Sequence, residues 1–229
     1  ERRRFADIAL SQLSKSYFYR LNRYNRILSQ RNKLLKSVKP DLAALEIWDM
    51  QLAEAGAGIV KSRRGFLARL QPIASKVHEF LTDGSEALAL SYEGAVGAEL
   101  SEIKDNLIKS LTLSRESDLK TGFTHVGPHK DDIGVKANGV DLRTYGSQGQ
   151  QRTAALSLQL SLLELMSDFT GDKPVLLLDD VMSELDEVRR KRLLELITSY
   201  QTVITCTELP ELDGRSDVKR FKIVAGTLA

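Results

Sequence analysis

The sequence predicts an α/β protein that carries an additional α-helical domain. The first 120 residues show apolar spacing of helical period, and after Gly122 the pattern changes to alternating strands and helices. Residues 175–178 form a short, wholly apolar segment that is typical of a parallel strand buried on both faces. We therefore expect a helical arm domain over residues 1–120 and an α/β lobe over residues 121–229.

The composition is that of an ordinary globular protein. Of the 229 residues, 42% are hydrophobic and 28% are charged, which excludes disordered, collagen-like and low-complexity classes. No apolar run approaches the ~20 residues that cross a bilayer, so neither a membrane span nor a membrane partner is expected. The single cysteine, Cys206, has no partner for an internal disulfide, which favours a reducing cytoplasmic location.

Two long helices are predicted at the start of the chain. Residues 5–38 form one uninterrupted helix, which Pro40 ends. Its apolar seam consists of Tyr17, Leu21, Tyr24, Leu28 and Leu35. Residues 41–81 form a second helix that is kinked or broken at Pro72, and we expect the two helices to pack as an antiparallel pair.

Shorter elements follow in an order that alternates strand and helix. Asn138-Gly139 lies between two apolar segments and is a strong signal for a β-hairpin turn. Residues 148–169 carry leucine on almost every side, which predicts a buried helix. The other predicted elements are a strand at 87–92, helices at 99–119 and 187–200, and strands at 202–205 and 218–224.

Positive charge is concentrated in the first helix. Residues 1–39 carry 11 basic and two acidic residues, a net charge of +9, whereas residues 81–229 have a net charge of −7. Such a segment is either a solvated helix face or a contact for DNA phosphates, and the near absence of acids favours DNA. The candidate phosphate contacts are Arg20, Arg23, Arg26, Arg31 and Lys33.

Aromatic side chains are interleaved with these cations. They either stack on nucleic-acid bases or pack in the core, and their seam positions favour the core. They are Tyr17, Phe18, Tyr19 and Tyr24.

Two consecutive acids follow the apolar segment at 175–178. A buried parallel strand brings Asp179 and Asp180 to the carboxyl edge of its sheet, where α/β folds bind ligands. In nucleotide hydrolases the first acid of such a pair holds Mg²⁺, and the second can orient the attacking water. A solvated acidic turn explains the same residues equally well, so this motif alone leaves both interpretations open.

One helix start has the composition of a phosphate-binding turn, and a second has a helix-cap signal. Ser147 caps the predicted helix at 148–169, and the free N–H groups of that helix suit a phosphate that Gly149 allows to approach closely. Ser183 and Asp186 form a similar helix-start signal just past the acid pair. Taken singly, each segment is better explained as a simple helix cap.

The order of these segments resembles a known family. Residues 127–132 (GPHKDD), 146–152 (GSQGQQR) and 176–186 (LLLDDVMSELD) resemble the bacterial RecF family of DNA repair proteins. Residues 2–5 (RRRF) and 30–35 (QRNKLL) resemble its early helical region, so the likeness covers nearly the whole chain. The resemblance implies an incomplete P-loop ATPase head of the ABC type, its signature and Walker B portion, joined to a helical arm.

The resemblance also implies a role for each candidate site residue. Asp179 would be the Walker B acid associated with Mg²⁺, and Asp180 would polarise the hydrolytic water. Many ABC ATPases have glutamate at the second position, and the shorter aspartate suits slow turnover. The residues implied at the γ-phosphate held by the other subunit are Ser147, Gln148, Gly149, Gln150 and Gln151. Ser183 and Asp186 would form the D-loop across the dimer interface.

For the whole protein, the family implies an ATP-dependent homodimer that binds DNA and acts at single-stranded gaps. Its implied cofactors are ATP and Mg²⁺, and its implied partners are RecO and RecR proteins, with which it promotes RecA loading. A DNA-binding and protein-docking scaffold without ATP turnover stays open as an alternative. The head of a related chromosome-maintenance ATPase is disfavoured, because the helical arm is far shorter than the coiled coils of those proteins.

Some features depart from the family pattern. The sequence contains no G-x-x-x-x-G-K-[ST] phosphate loop, and it begins at Glu1 rather than at methionine. We therefore expect a fragment without the Walker A lobe, largely monomeric, that neither binds ATP tightly nor hydrolyses it alone. Thr205 or Thr207 stands where many ABC ATPases carry a histidine. His129 is most simply a turn histidine bonded to the backbone.

Overall fold

The chain folds into two units, residues 1–172 and residues 173–229. A computed structural model describes residues 2–207, 212, 216–225 and 227–228 of the chain. Within these residues, no helix is both long enough and apolar enough to cross a membrane.

Helices dominate the first unit. They are α1 (Arg2–Leu13), α2 (Lys15–Leu35), α3 (Leu42–Leu81), α4 (Leu100–Thr121) and α5 (Gln148–Thr170). The expectation of one helix over 5–38 is wrong, because Ser14 separates α1 from α2. Its backbone is extended, and its hydroxyl oxygen accepts the Tyr17 N–H at 3.3 Å, which makes Ser14 the N-cap of α2.

Helix α3 is the central element of the first unit. It starts after the N-cap Asp41, runs for 40 residues and packs against α2, α4 and α5. Pro72 lies inside α3 without ending it, so the possible break at this residue is not observed. A proline removes one helical hydrogen bond, and burial of α3 against several neighbours offsets that loss.

A small antiparallel sheet completes the first unit. Strand β1 (Leu88–Glu93) pairs with β2 (Asp132–Ala137), which pairs with β3 (Val140–Asp141). The predicted hairpin turn is confirmed: Asn138 and Gly139 have φ angles of 49° and 81°, the left-handed pair that a tight hairpin requires. Because β2 pairs with β1 and α5 packs on α3, residues 121–172 fold with the helical arm. The division between units therefore differs from the boundary expected after residue 120.

Two apolar clusters stabilise the first unit. One lies among α2, α3 and α4 and includes Tyr17, Tyr24, Leu52, Ile59 and Leu107. The other lies among α1, α3, the sheet and α5 and includes Phe66, Leu70, Ile133, Val135 and Leu165. Full burial of one such side chain contributes about 1.5–3 kcal/mol. The first cluster fixes which face of α2 is turned inward and leaves the opposite face to solvent.

The second unit contains a parallel strand pair. Strand β4 (Leu176–Asp179) pairs with β5 (Thr202–Thr205), and α6 (Glu187–Leu196) lies between them in the chain. Near the end of the chain, β6 (Ile223–Val224) pairs with β7 (Thr227–Leu228), a shorter element than the strand expected at 218–224.

Burial of β4 differs from the expectation. Leu176 and Leu178 are buried, but Leu177 between them is 71% exposed, so the described part of the second unit covers only one face of the strand. Successive residues of a strand point to opposite faces of the sheet, so burial of one face alone makes buried and exposed residues alternate along β4.

Candidate functional site

The two acids lie at the end of the parallel strand pair. Asp179 is the last residue of β4 and lies opposite Thr205, the last residue of β5. The Thr205 hydroxyl donates a hydrogen bond to Asp179 Oδ1 at 2.5 Å. Asp180 follows with a left-handed φ of 53°, and its N–H donates to the carbonyl oxygen of Thr205 at 3.2 Å and to its Oγ1 at 3.1 Å. Both carboxylates are exposed at the carboxyl edge of the pair.

The chemistry of these donors fits a magnesium ion bound together with a nucleotide. Among the described residues, no group of three His, Cys, Asp or Glu side chains is arranged to hold a metal ion. Mg²⁺ prefers oxygen ligands and is usually held by one or two carboxylates, with phosphate oxygens and water completing its shell. Within the described chain, Asp179 Oδ2 accepts no hydrogen bond, which leaves it available to such an ion.

The residues after the acids form a capped turn. Val181–Glu184 is a short 3₁₀ helix, and the Ser183 hydroxyl donates to the carbonyl oxygen of Asp180 at 2.8 Å. Asp186 is the N-cap of α6, since its carboxylate accepts the Arg189 N–H at 2.9 Å. Both of the predicted D-loop residues are exposed and stabilise the backbone that follows the acids.

The turn at 147–151 lies in the first unit and starts α5. Ser147 and Gln150 form a capping box, in which each side chain accepts a hydrogen bond from the other's backbone N–H. The Gln150 amide also donates to Glu86 Oε1 at 3.0 Å, and the Gln151 amide donates to the carbonyl oxygen of Leu142 at 2.8 Å. Both glutamine side chains are thus held within the unit.

Ser147, Gln148 and Gly149 are exposed, as is Gln151, whose amide is held by the Leu142 carbonyl oxygen. A Cβ added to Gly149 would meet nothing closer than Ser147 Oγ, at 4.0 Å. The N–H groups of the first helical turn have no partner inside a helix, and they carry the positive end of the helix dipole. The Ser147–Gly149 edge is therefore the part of the predicted signature segment that is open to an anion.

One face of α2 carries exposed basic residues. Tyr19, Arg23, Arg26, Gln30 and Lys33 are all exposed and recur at intervals of four and three residues, so they share one helix face. We call these five residues the α2 stripe.

The aromatic residues of α2 divide between the core and the surface. Tyr17 and Tyr24 are buried, as their seam positions predict, whereas Phe18 is 47% exposed and Tyr19 is 69% exposed. Arg20 lies beside the α2 stripe, is half-buried, and donates to the Gly58 carbonyl and the Ser62 hydroxyl at 3.4 Å.

The prediction that Arg31 contacts DNA is wrong. Arg31 is 0% exposed, and its guanidinium forms ion pairs with Asp49 at 2.6 Å and with Asp118 at 2.7 Å. It also donates to the Thr124 hydroxyl at 2.8 Å. Arg31 shares the inward face of α2 with Tyr24, and the two buried carboxylates draw it into the core.

His129 is held as a turn residue. Its Nε2 lies 3.0 Å from the Thr124 carbonyl oxygen, which only accepts, so Nε2 carries the proton. Its Nδ1 then accepts the hydroxyl of Tyr24 at 2.7 Å. Burial holds the pKa of His129 below its usual value and so favours this neutral form. The imidazole links α2 to the 127–132 segment.

The sequence alone did not decide whether Thr205 or Thr207 lies at the end of the strand next to the acids. The two candidates at this strand end were Thr205 and Thr207, and only Thr205 lies in β5, in register with Asp179. Thr207 lies two residues beyond the strand and is exposed. The pairing of β4 with β5 identifies Thr205 as the residue beside Asp179, because neighbouring parallel strands bring their last residues side by side.

Comparison with known proteins finds similar individual proteins, although no family model matches the chain. The chain is 46% identical over 233 residues to the DNA replication and repair protein RecF of Lachnoclostridium phytofermentans, and the match covers 100% of this chain and 63% of that protein. It is 48% identical over 223 residues to the RecF protein of Acetivibrio thermocellus, a match that covers 94% of this chain and 60% of that protein.

A solved structure gives the same result. The structure of the recombination mediator protein RecF with ATP, in the RecFOR pathway, matches with a TM-score of 0.84 and 44% identity, over 100% of this chain and 62% of that one. The fold is thus part of an ABC-type ATPase head with a helical arm. The chain spans about three fifths of the length of the curated relatives it matches. Over that span the chain belongs to the RecF family of DNA replication and repair proteins.

Proposed function

We propose that this chain is part of an ATP-dependent, dimeric DNA-binding protein that acts in recombinational repair. In this proposal the full-length form, meaning this chain joined to the remaining part of a RecF protein, binds Mg²⁺ and ATP and hydrolyses ATP slowly. It acts at single-stranded gaps with RecO and RecR proteins to promote RecA loading. The observation that carries the proposal is the pair of exposed acids at the end of β4, in a chain of RecF sequence and fold.

Each candidate residue has a chemical task in this proposal. Bound Mg²⁺ supplies positive charge next to the phosphate oxygens. Asp179 would hold the ion, and Asp180 would orient the attacking water and accept its proton. Aspartate reaches less far than the glutamate of many ABC ATPases, which is consistent with slow turnover.

The exposed edge of the 147–151 turn has the complementary task. The Ser147 hydroxyl and the N–H groups of Gln148 and Gly149 donate to the γ-phosphate held by a second copy. Gln150 and Gln151 shape this turn through their bonds to Glu86 and Leu142. Ser183 and Asp186 stabilise the segment that borders the partner copy.

Placing a carboxylate at Gly149 tests this arrangement. In the full-length form, Gly149→Asp is expected to weaken ATP-dependent dimerisation at least about tenfold, because the new charge repels the γ-phosphate. The fold should tolerate the change, since the space around Gly149 is open and an acid near a helix N-terminus is favourable. Light scattering with and without Mg²⁺ and ATP measures the dimerisation.

The matched control for this variant is Gly65→Asp, at an exposed position of α3 where an added Cβ also meets nothing within 4 Å. It is expected to dimerise like the unmodified protein. Equal dimerisation of both variants would exclude a γ-phosphate contact at the 147–149 edge.

For DNA, we propose that the α2 stripe contacts the phosphate backbone. From Arg23 to Lys33 the stripe extends about 15 Å along the helix axis, comparable to four base-pair steps of duplex. Its cations are exposed, and Tyr19 at one end offers an aromatic face to an unpaired base.

Removal of the stripe cations tests this contact. In the full-length form, the triple variant R23A/R26A/K33A is expected to make the negative slope of log K against log salt shallower by about 3. Each phosphate contact releases about one counterion from the DNA on binding, and the variant lacks three of these contacts. Fluorescence anisotropy over a salt series measures this slope.

The control for the stripe variant replaces three exposed lysines on other elements, Lys109, Lys120 and Lys136, with alanine. This removes the same total charge and should leave the slope unchanged. Equal slopes for the two triple variants would mean that the stripe acts only through net charge, and the proposed contact would be withdrawn.

A further inference from the structure

One hydroxyl group is bonded to both acids. Thr205 Oγ1 donates to Asp179 Oδ1 at 2.5 Å and accepts the backbone N–H of Asp180 at 3.1 Å. A threonine hydroxyl has one proton to donate, and here that proton goes to the carboxylate. Thr205 therefore links the side chain of the first acid to the backbone of the second.

These bonds are not needed to satisfy buried groups. Asp179, Asp180 and Thr205 are all exposed, so water would solvate each of these polar atoms if the bonds were absent. The consequence of the bonds is orientation. The bond to Oδ1 fixes the rotation of the Asp179 carboxylate, and the bond to Asp180 N–H supports a backbone whose φ of 53° is uncommon for a residue other than glycine.

We propose that Thr205 is a positioning residue for the Mg²⁺–nucleotide site. It occupies Oδ1 of Asp179, so that Oδ2 is presented to the cation, and it holds the turn from which the Asp180 carboxylate reaches the attacking water. Groups that orient a metal ligand without touching the metal commonly change metal affinity by 10–100-fold when they are removed. This inference rests on the proposed function, because it assigns Asp179 to the metal.

The test uses the full-length form with Mn²⁺ as a paramagnetic probe in place of Mg²⁺. Free Mn²⁺ is measured by electron paramagnetic resonance in the presence of ATP, which gives a binding constant that does not depend on turnover. Thr205→Val keeps the branched shape that suits a strand but lacks the hydroxyl. We expect T205V to bind Mn²⁺ about tenfold more weakly and T205S, which keeps the hydroxyl, to bind it like the unmodified protein.

The matched control is Thr202→Val at the other end of β5. The Thr202 hydroxyl donates to the Tyr200 carbonyl oxygen at 3.1 Å, away from the acids. T202V should bind Mn²⁺ normally, since it removes a hydroxyl from the same strand without touching Asp179. Equal weakening in T202V and T205V would indicate a general effect on the strand and would overturn the inference.

Asp179→Asn separates this inference from the proposed function. If D179N weakens Mn²⁺ binding and T205V does not, the metal site stands and only the role of Thr205 is overturned. If D179N binds Mn²⁺ like the unmodified protein, Asp179 is not a ligand, and the proposed function falls together with the inference. If both variants weaken binding and T205S restores it, the positioning role is supported.

Discussion

In the full-length form, the substitution Asp180→Asn is expected to lower the rate of ATP turnover about a hundredfold or more. The loss follows from the proposed role of Asp180, because an amide cannot accept the proton of the attacking water, and a positioned acid–base group contributes about 10²–10⁴-fold. The variant should fold normally. Asparagine has nearly the same shape, tolerates the left-handed φ of this residue, and keeps the backbone N–H that donates to Thr205.

Phosphate release under saturating ATP measures this turnover. Asp172→Asn is the control, since it removes one carboxylate at an exposed position outside the 179–186 segment and should leave the rate unchanged. ATP binding should persist in D180N, because the substitution leaves Asp179 and the metal in place. A rate in D180N equal to that of the control would remove Asp180 from catalysis and favour a DNA-binding and docking scaffold without turnover.

The substitution Arg31→Met is expected to lower the free energy of unfolding of the first unit by about 3–5 kcal/mol. It removes the positive charge between Asp49 and Asp118 and leaves two carboxylates in the core, of which Asp118 is 0% exposed. Methionine replaces most of the side-chain volume. Asp49 keeps its ion pair with Arg115 at 2.9 Å, and Asp118 keeps its contact with His125 Nδ1 at 2.8 Å. The loss therefore comes from the positive charge removed from between the two carboxylates rather than from a cavity.

Tryptophan fluorescence in urea measures the loss. Trp48 is the single tryptophan of the chain and lies next to Asp49 on α3, so its emission reports on this region. The control is Arg26→Met, which removes an arginine from the exposed face of the same helix and should change stability by no more than about 0.5 kcal/mol. Equal midpoints for the two variants would mean that the buried ion pairs of Arg31 contribute nothing to stability.

Arg31 also illustrates what the sequence could not provide. All five cations proposed for DNA lie on one basic helix, and their residue types do not distinguish them. Arg31 is buried because it pairs with Asp49 and Asp118. These two partners lie 18 and 87 residues further along the chain. A pairing over that distance depends on how α3 and α4 pack against α2, which local composition does not encode.

Turns and helix caps, which depend on a few neighbouring residues, were easier to predict from the sequence. The hairpin at Asn138-Gly139 was predictable because few residue pairs tolerate two positive φ angles. The capping role of Ser147 was predictable because a serine followed three residues later by glutamine is a helix-start pattern. Ser14 lacks this pattern, because Tyr17 stands three residues after it, and the uninterrupted sequence over residues 5–38 suggested one helix where there are two.

The position of Thr205 in the candidate site depends on the register between β4 and β5. The acids were predictable at the tip of a strand, but the alignment of Asp179 with Thr205 depends on which residues of β4 and β5 pair. A shift of one residue would move Thr205 to the opposite face of the pair and away from the carboxylate. The exposure of Leu177 has a similar origin, since burial on both faces needs covering elements that the strand's own sequence does not specify.

The central claim is that the acids of one copy and the Ser147–Gly149 edge of another act on the same triphosphate. Mixing full-length D180N with full-length G149D tests this claim directly, because a two-fold dimer has two equivalent sites, each built from both copies. In a mixed dimer one site receives both defects and the other receives neither. At protein concentrations high enough for G149D copies to dimerise, half of the dimers are mixed and each has one intact site, so an equal mixture should recover about a quarter of the unmodified turnover rate. A mixture no more active than either variant alone would contradict a site shared between two copies.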